Sequence, residues 1–376
     1  MENENPNLVS ENETSQNQIK CSCCGAKLTF APGTLSLKCE YCGTMNEIKI
    51  DEALKEEAVK ELDYLSALKE LESDENQDVH EIHTVKCQAC GAETTFGENV
   101  ISDKCDFCGS PLTVNQGTTV KKIKPKALIP FSVERFQGDE MYKKWLKDLW
   151  FAPSDLKKSA MQENSLSGVY LPYWTYDAKT VTNYSGKRGT DYYTEERYKD
   201  EQGQEKVRKV RHTNWTLTSG VVKNVFDDIV QAASSALPLS YLNSLEPWNL
   251  NALVPYDEKF MSGFKTETYS IDLKQGFEGA KDIMDSEIES SIREDIGGDH
   301  QQIDTKNINF YDITFKHILL PIWISSYRYN GKSYRFVVNG QSGKVRGERP
   351  YSTMKIIMAV LAVIAVLCGF YFLLRK

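Results

Sequence analysis

Residues 19–43 read IKCSCCGAKLTFAPGTLSLKCEYCG, and residues 85–109 read VKCQACGAETTFGENVISDKCDFCG. In the first, Cys21-x-x-Cys24-Gly25 is followed fourteen residues on by Cys39-x-x-Cys42-Gly43; in the second, Cys87-x-x-Cys90-Gly91 is followed, again after fourteen, by Cys105-x-x-Cys108-Gly109. The copies share Lys-Cys, Cys-Gly-Ala and Thr-Phe at matching places, so they are an internal repeat. A C-x-x-C turn sets two sulfurs on one side of a tight loop, and the glycine after it lets backbone amides turn toward the thiolates. Two such knuckles complete a tetrahedral zinc site with four sulfurs at about 2.3 Å, and a site with four protein ligands has no open position for catalysis. The spacing therefore predicts two structural Zn²⁺ sites, each folding a module too small to hold a core of its own. Disulfides and redox pairs are the alternatives. A cytosolic setting disfavours the first, and a redox motif would sit in a βαβ unit. Cys23 reads as a spare thiol, with exchange for Cys21 or Cys24 as the other option. His80 and His83 read as solvated, because four cysteines already complete the second site.

At the other end, Ile356–Leu374 reads IIMAVLAVIAVLCGFYFLL, nineteen residues without charge, amide or proline. About twenty apolar helical residues cross the hydrocarbon core of a bilayer, so this stretch is expected to be a single membrane span with Cys368 as an apolar filler. Residues 1–18 are acidic and amide-rich, with no secretory leader pattern, and are expected to be disordered. Lys344, Arg346, Arg349 and Lys355 precede the span and two cations follow it. Both features predict a cell-membrane protein with a C-terminal anchor and the bulk of the chain in the cytoplasm.

Between the ribbons, residues 51–83 hold twelve acids and three lysines. Leu54, Ala58, Leu62, Leu65, Leu68 and Leu71 keep helical spacing, which predicts one acidic linking helix whose stripe packs on the ribbons or docks a partner helix. Lys121, Lys122, Lys124 and Lys126 read as a basic linker. From about residue 127 a weaker duplication is expected. Ala127-Leu-Ile-Pro-Phe131 returns as Ala252-Leu-Val-Pro-Tyr256. Leu171-Pro-Tyr-Trp174 returns as Leu320-Pro-Ile-Trp323, each proline at the start of a strand. Helices are expected over Asp139–Trp150 and Leu273–Ile296, tyrosine-rich hairpins over 183–222 with a mobile charged loop at 187–209, a hairpin turn at Asn330-Gly331, and strands at Tyr334–Val338 and Lys344–Arg346. Phe226-Asp-Asp228 reads as the cap of a helix ending at Ala236.

The fold expected is multidomain: a tail (1–18), ribbon 1 (19–50), helix (51–83), ribbon 2 (84–117), linker (118–126), two α+β repeats (127–250 and 251–353) forming one antiparallel sheet, and a transmembrane helix (354–374). No catalytic constellation emerges. Gly331-Lys332-Ser333 ends like a phosphate loop, but Ser326 stands where such a loop needs glycine. Asp295-Ile-Gly-Gly-Asp299-His300 reads as a helix stop rather than a base or metal site. The net charge of −8, with two lysines against four acids in residues 84–117, argues against nucleic acid.

The ribbons, Leu171-Pro-Tyr-Trp-Thr-Tyr-Asp177, Ser219-Gly-Val with Asp227-Asp228, Glu246-Pro-Trp-Asn-Leu250, Asp295-Ile-Gly-Gly-Asp299, Thr314-Phe-Lys-His-Ile-Leu-Leu-Pro321 and Gly347-Glu-Arg-Pro-Tyr351 together resemble one bacterial family. It comprises zinc-ribbon, C-terminally anchored proteins of Bacillus and its relatives. Its members are often labelled primosomal protein N′ or superfamily II helicase, a label this chain does not support, since it has no helicase phosphate loop. The resemblance implies an adaptor, not an enzyme, that recruits phage-shock protein A or SPFH (flotillin-like) partners to the membrane under envelope stress. The alternative is a membrane-tethered, nucleic-acid-binding ribbon protein. The ribbons, beyond the lysine-rich linker, are expected to reach away from the membrane and hold the partner.

Overall fold

The computed structural model describes residues 19–73, 79–95, 102–113, 117–153, 166–199, 201–330 and 332–374. The expected disordered tail lies outside them. Ribbon 1 is a three-stranded sheet of β1 (Leu28–Ala31), β2 (Ser36–Cys39) and β3 (Met45–Glu47). The next segment is not one helix. It forms α1 (Glu52–Val59), a short strand β4 (Leu62–Asp63) and α2 (Tyr64–Ser73). The chain leaves the helical region at Lys60 (φ −67°, ψ 130°), where Glu61 is drawn toward the Lys316 ammonium and Leu62 pairs with Phe315. The helical spacing of the leucines misleads here. Ala58, Tyr64 and Ala67 are buried, while Leu54, Leu65 and Leu71 are exposed.

The second ribbon is built from β5 (Val79–Lys86), β6 (Glu93–Thr95), β7 (Ser102–Lys104), β8 (Pro111–Thr113) and β9 (Gly117–Ile123). The stretch expected to be a basic linker is thus mostly strand: β9 pairs along β5 from Val79–Ile123 to Val85–Gly117. Lys122 is held between Glu93 and the Tyr269 carbonyl, and Ile123 is buried.

The remainder is a twisted sheet with a pseudo-two-fold axis. Its first repeat is β10 (Ala127–Leu128), α3 (Arg135–Asp148), β11 (Ser167–Lys199) and β12 (Glu205–Ala232). A connection with a short helix α4 (Leu239–Asn243) and strand β13 (Val254–Pro255) leads to the second, β14 (Lys265–Thr266), α5 (Leu273–Ile296), β15 (His300–Tyr329) and β16 (Lys332–Asn339), followed by β17 (Val345–Gly347) and α6 (Thr353–Leu374). The expected helix over Leu273–Ile296 is present, and the strands expected near Tyr334 and Lys344 are β16 and β17. β11 and β15 run antiparallel, with Leu171 opposite Leu320, Pro172 opposite Leu319 and Tyr170 opposite Pro321. The axis passes through the Leu171–Leu320 pair.

Two segments of the sheet share one local geometry, and the counterpart of the first lies elsewhere than Ala252–Tyr256. Phe131-Ser-Val-Glu-x-x-Gln-Gly138 corresponds to Tyr269-Ser-Ile-Asp-x-x-Gln-Gly276. Both stretches enter a helix through a capping box. Trp323 Nε1 donates to the Val133 carbonyl at 2.9 Å, and Trp174 Nε1 donates to the corresponding Ile271 carbonyl at 3.0 Å. β10 pairs in parallel with β15, and β14 likewise with β11. Each repeat therefore lays its entering strand and helix on the tryptophan strand of the other. A Cβ on Gly276 would stand 2.6 Å from the Trp174 ring, so the close helix–indole approach requires glycine. Ala252–Tyr256 pairs with the first repeat instead of mirroring it: Val254 lies opposite Leu128.

Pro172 and Pro321 sit inside strands, not at their starts. Pro172 falls between the residues that pair β14 (Val169, Tyr170) and those that pair β12 (from Tyr173). Its carbonyl accepts from Ala233 on that side, and Pro321 likewise accepts from Gly340. The missing N–H of each falls where one neighbour ends and the next begins, so no ladder bond is lost.

The tyrosine-rich region is one long hairpin, not several. β11 and β12 pair continuously to Lys199–Glu205, so the loop expected at 187–209 is strand up to the turn. Alternating Thr, Tyr and Val keep the pleat. Asp227 and Asp228 lie in β12 at a bulge beside Tyr176–Ala178, with Asp228 at φ 53°, and no helix follows to Ala236. α5 covers one face of this arm through Leu273, Phe277, Ala280, Met284, Ile288, Ile292 and Ile296. The helix expected at Asp139–Trp150 runs from Arg135 to Asp148.

Both ribbons are seated on this sheet instead of projecting from it. Phe30 N–H donates to Ser262, Gly33 N–H donates to Phe131, and the Phe30 and Phe260 rings meet edge-on at 5.4 Å. On the second ribbon Arg335 Nε donates to the Phe107 carbonyl at 2.8 Å, and Lys265 pairs with Asp103 at 2.6 Å. Cys87, Cys105, Phe107 and Cys108 share one core with Val169, Ile318 and Leu320.

Candidate metal centres

Four knuckles repeat one local geometry. The N–H of Gly25, Gly43, Gly91 and Gly109 each donates to the carbonyl of the first cysteine of its C-x-x-C, at 2.9, 2.9, 2.8 and 2.7 Å. All four glycines take the left-handed conformation, φ 71–79°, which a side chain would disfavour. This turn swings the two thiols of each knuckle to the same side. The hairpins between knuckles then bring the pairs together. Cys21 Sγ lies 3.6 Å from Cys42 Sγ and Cys24 Sγ 3.5 Å from Cys39 Sγ; in the second cluster Cys87–Cys108 and Cys90–Cys105 are each 3.6 Å apart. Sulfurs about 2.3 Å from a shared tetrahedral ion stand at such separations, whereas a disulfide needs about 2.05 Å. All eight expected ligands are thus gathered into two tetracysteine clusters able to bind metal ions. Cys23 belongs to neither; it is exposed, and its N–H donates to Cys21 Sγ at 3.4 Å. The side chains of His80 and His83 lie outside the described set.

The two clusters differ in their surroundings. In the first, Cys24 and Cys42 face solvent; in the second, three cysteines are buried and Cys90 is half-buried. The Thr44 hydroxyl lies 3.1 Å from Cys42 Sγ and pulls that thiol down to about 6. The Cys105 thiol beside it holds Cys90 down to about 5, and Cys105 is correspondingly pushed up. In each cluster one sulfur is thereby biased toward the thiolate, the form that ligates metal. Nothing in the spacing of the sequence announced Thr44.

The Asp295–His300 turn is a helix stop. Gly297 ends α5 with φ 64°, its N–H donating to Arg293, and Asp295 accepts from Tyr184 at 2.6 Å. His300 pairs with Asp191 at 3.1 Å on the surface of the long arm. Of the Gly331-Lys332-Ser333 stretch, Gly331 lies outside the described residues, and the flanking strands close a hairpin with Tyr329 opposite Lys332.

A third cluster was not foreseen. Glu61, Asp177 and Asp227 converge at the β11–β12 bulge. The buried Lys316 bridges Glu61 at 3.1 Å and Asp228 at 2.7 Å, and Thr314 donates to Glu61 at 2.6 Å. Burial, then the hydrogen bond to Glu61, pushes Asp177 up to about 7. The folded chain keeps this proton, while the unfolded chain releases it near 3.8. On this account stability falls as pH rises between those values. In Asp177→Asn the amide can still donate to Glu61, and its carbonyl can still accept from the Asp228 N–H. The melting temperature of D177N relative to wild type is therefore expected to be more favourable at pH 8 than at pH 5. An identical difference at both pH values would show that Asp177 is not the titrating group.

These parts place two tetracysteine clusters, compatible with zinc ribbons, on a mostly-sheet domain ahead of one apolar helix. The helical stretch Thr353–Tyr371, mean hydropathy 2.4 and none of it buried, is long and apolar enough to cross a membrane. The chain is 26% identical over 243 residues to YdjG of Bacillus subtilis (strain 168), an uncharacterized protein; the match covers 62% of this chain and 66% of that protein, just under two thirds of its length. No family model matches the chain, and no solved structure matches it.

Proposed function

We propose that the protein is a non-enzymatic adaptor, anchored in the cell membrane by Thr353–Leu374 with its bulk in the cytoplasm, whose first zinc-loaded ribbon recruits a partner protein. The observation that carries this reading is the apolar surface left uncovered on the first ribbon. There Leu35, Tyr41 and Met45 are 45%, 86% and 47% exposed on a module that a metal would hold rigid. Docking on rigid apolar surface costs little ordering entropy, and a partner confined to the membrane surface gains effective concentration there. The second ribbon, sunk in the core, is assigned a structural role. The family resemblance suggests phage-shock protein A or flotillin-like partners in envelope stress.

The test expresses the full chain in cells beside a fluorescent flotillin-like protein. Tyr41→Glu is expected to reduce membrane recruitment about tenfold or more, as loss of a central interface aromatic does. Tyr193→Glu on the distant arm is expected to leave it unchanged. Recruitment that survives Tyr41→Glu but not Tyr193→Glu moves the docking face to the arm.

A further inference from the structure

The stretch that joins the sheet to α6 lines a cavity of about 650 Å³. Three cations face it: Lys332, Arg346 and Arg349. One acid faces it, Glu348, whose carboxylate accepts from the Arg335 N–H at 3.1 Å. Arg346 stacks over the Tyr241 ring at 5.6 Å and Arg349 over the Tyr351 ring at 5.3 Å. Among the described residues, none of the three cations makes an ion pair with a carboxylate. Stacking holds a guanidinium in place while leaving its N–H edge to hydrogen-bond elsewhere, and that fork matches a phosphate. This excess of cations stands out in a chain of net charge −8.

The lining of the cavity runs to Tyr351, two residues before the apolar helix begins. Ser352 N–H donates to the Phe151 carbonyl at 2.7 Å, and Lys355 Nζ donates to the carbonyls of Ala152 at 2.7 Å and Trp150 at 3.3 Å. These bonds fix the first turn of α6 against the loop after α3. Trp150, 78% exposed, and Tyr351, 59% exposed, flank that turn beside Met354. Large amphipathic rings beside an apolar helix are the side chains of a membrane interface. Cations at the same level meet the layer of lipid phosphates.

We propose that this cavity binds the phosphate headgroup of an anionic phospholipid, with Arg346 and Arg349 as phosphate ligands, Lys332 at the rim, and the acyl chains lying along α6. The proposal rests on reading α6 as a membrane span. The continuity of a cationic cavity with an apolar helix selects a lipid over a free anion.

The full chain is placed in nanodiscs of equal phosphatidylcholine and phosphatidylglycerol, and the lipid it retains is weighed by native mass spectrometry. Wild type is expected to carry phosphatidylglycerol in several-fold excess. Arg346→Gln with Arg349→Gln is expected to return the ratio to that of the disc, Lys332→Gln to lower it in part, and Lys124→Gln, on a surface away from the cavity, to leave it unchanged. Loss of the preference in Lys124→Gln, or its persistence in the double variant, overturns the site, as does abolition of the preference by millimolar inorganic phosphate. Flotation on phosphatidylcholine vesicles reads the span separately. A wild-type chain that does not float removes the span and the lipid site with it, while one that floats without preference removes the site alone.

Discussion

Cys105→Ser is expected to cost the chain one of two bound metal ions and to bring down the central sheet along with the ribbon. Cys105 is 1% exposed, and its knuckle carries Phe107, wholly buried, into the core that holds Val169, Ile318 and Leu320. Ligation by a four-cysteine site contributes on the order of 10–16 kcal/mol to folding such a module, against a total stability of about 5–15 kcal/mol for a domain. A site sunk in the core therefore has no reserve behind it. The main melting transition should drop by roughly 10 °C or more, the scale of several kcal/mol in a domain of this size. Cys42→Ser should also lose one ion, but with a smaller drop, because Cys42 and Cys24 lie at the solvent edge of the first ribbon. A chelator should strip the first site before the second for the same reason. Metal content by plasma mass spectrometry, followed beside calorimetry, decides it. A metal ratio near two in Cys105→Ser, or equal melting shifts in both variants, would contradict this account.

The second large effect concerns α6. From Ile356 on it carries no charged or amide side chain, and Leu361, Val363, Val366, Leu367 and Phe370 are each about half exposed or more. Such a patch far exceeds the few hundred Å² that a soluble monomer exposes. A bilayer accepts each Leu, Ile, Val or Phe favourably, by about 0.3–0.6 kcal/mol at mid-depth. A chain ending at Ser352 should therefore pass almost wholly from the membrane fraction to the soluble one, with its ribbons and sheet intact, since α6 contributes nothing to the three cores. Fractionation and flotation measure it. If the shortened chain still floats, the anchor lies elsewhere on the sheet.

The metal clusters were legible because their signal is local. Four cysteines at C-x-x-C spacing with glycine after each pair specify knuckles wherever the chain lies. Leu273–Ile296 was legible for a related reason, an unbroken apolar face closed by Gly297-Gly298. The break at Lys60 was not, because its cause is Lys316, a residue that only the folded sheet brings to Glu61. The same holds for β9, whose lysines look like a linker until β5 is known to lie beside it. The counterpart of Phe131–Gly138 is written in the sequence as Tyr269–Gly276, but Ala-Leu-x-Pro at Ala252 is the closer match by residue identity. The seating of the ribbons on the sheet left no trace in composition or periodicity, since it depends on Ser262, Phe107 and Arg335 meeting across long separations.

The exchange of entering strands and helices between the two repeats also sets how the molecule is made and lost. β10 completes its parallel pairing only once β15 exists, and α3 has no indole to rest on until Trp323 arrives. Each half closes a hairpin on local contacts, β11–β12 and β15–β16, but its entering strand and helix wait for the other half, so completion of the sheet belongs to the slow, non-local class of folding steps. Opening either half uncovers the tryptophan strand of the other. The exchanged core is therefore expected to open as one unit, and a protease or a stretching force acting on it to meet a single cooperative barrier where a chain of independent modules would offer several.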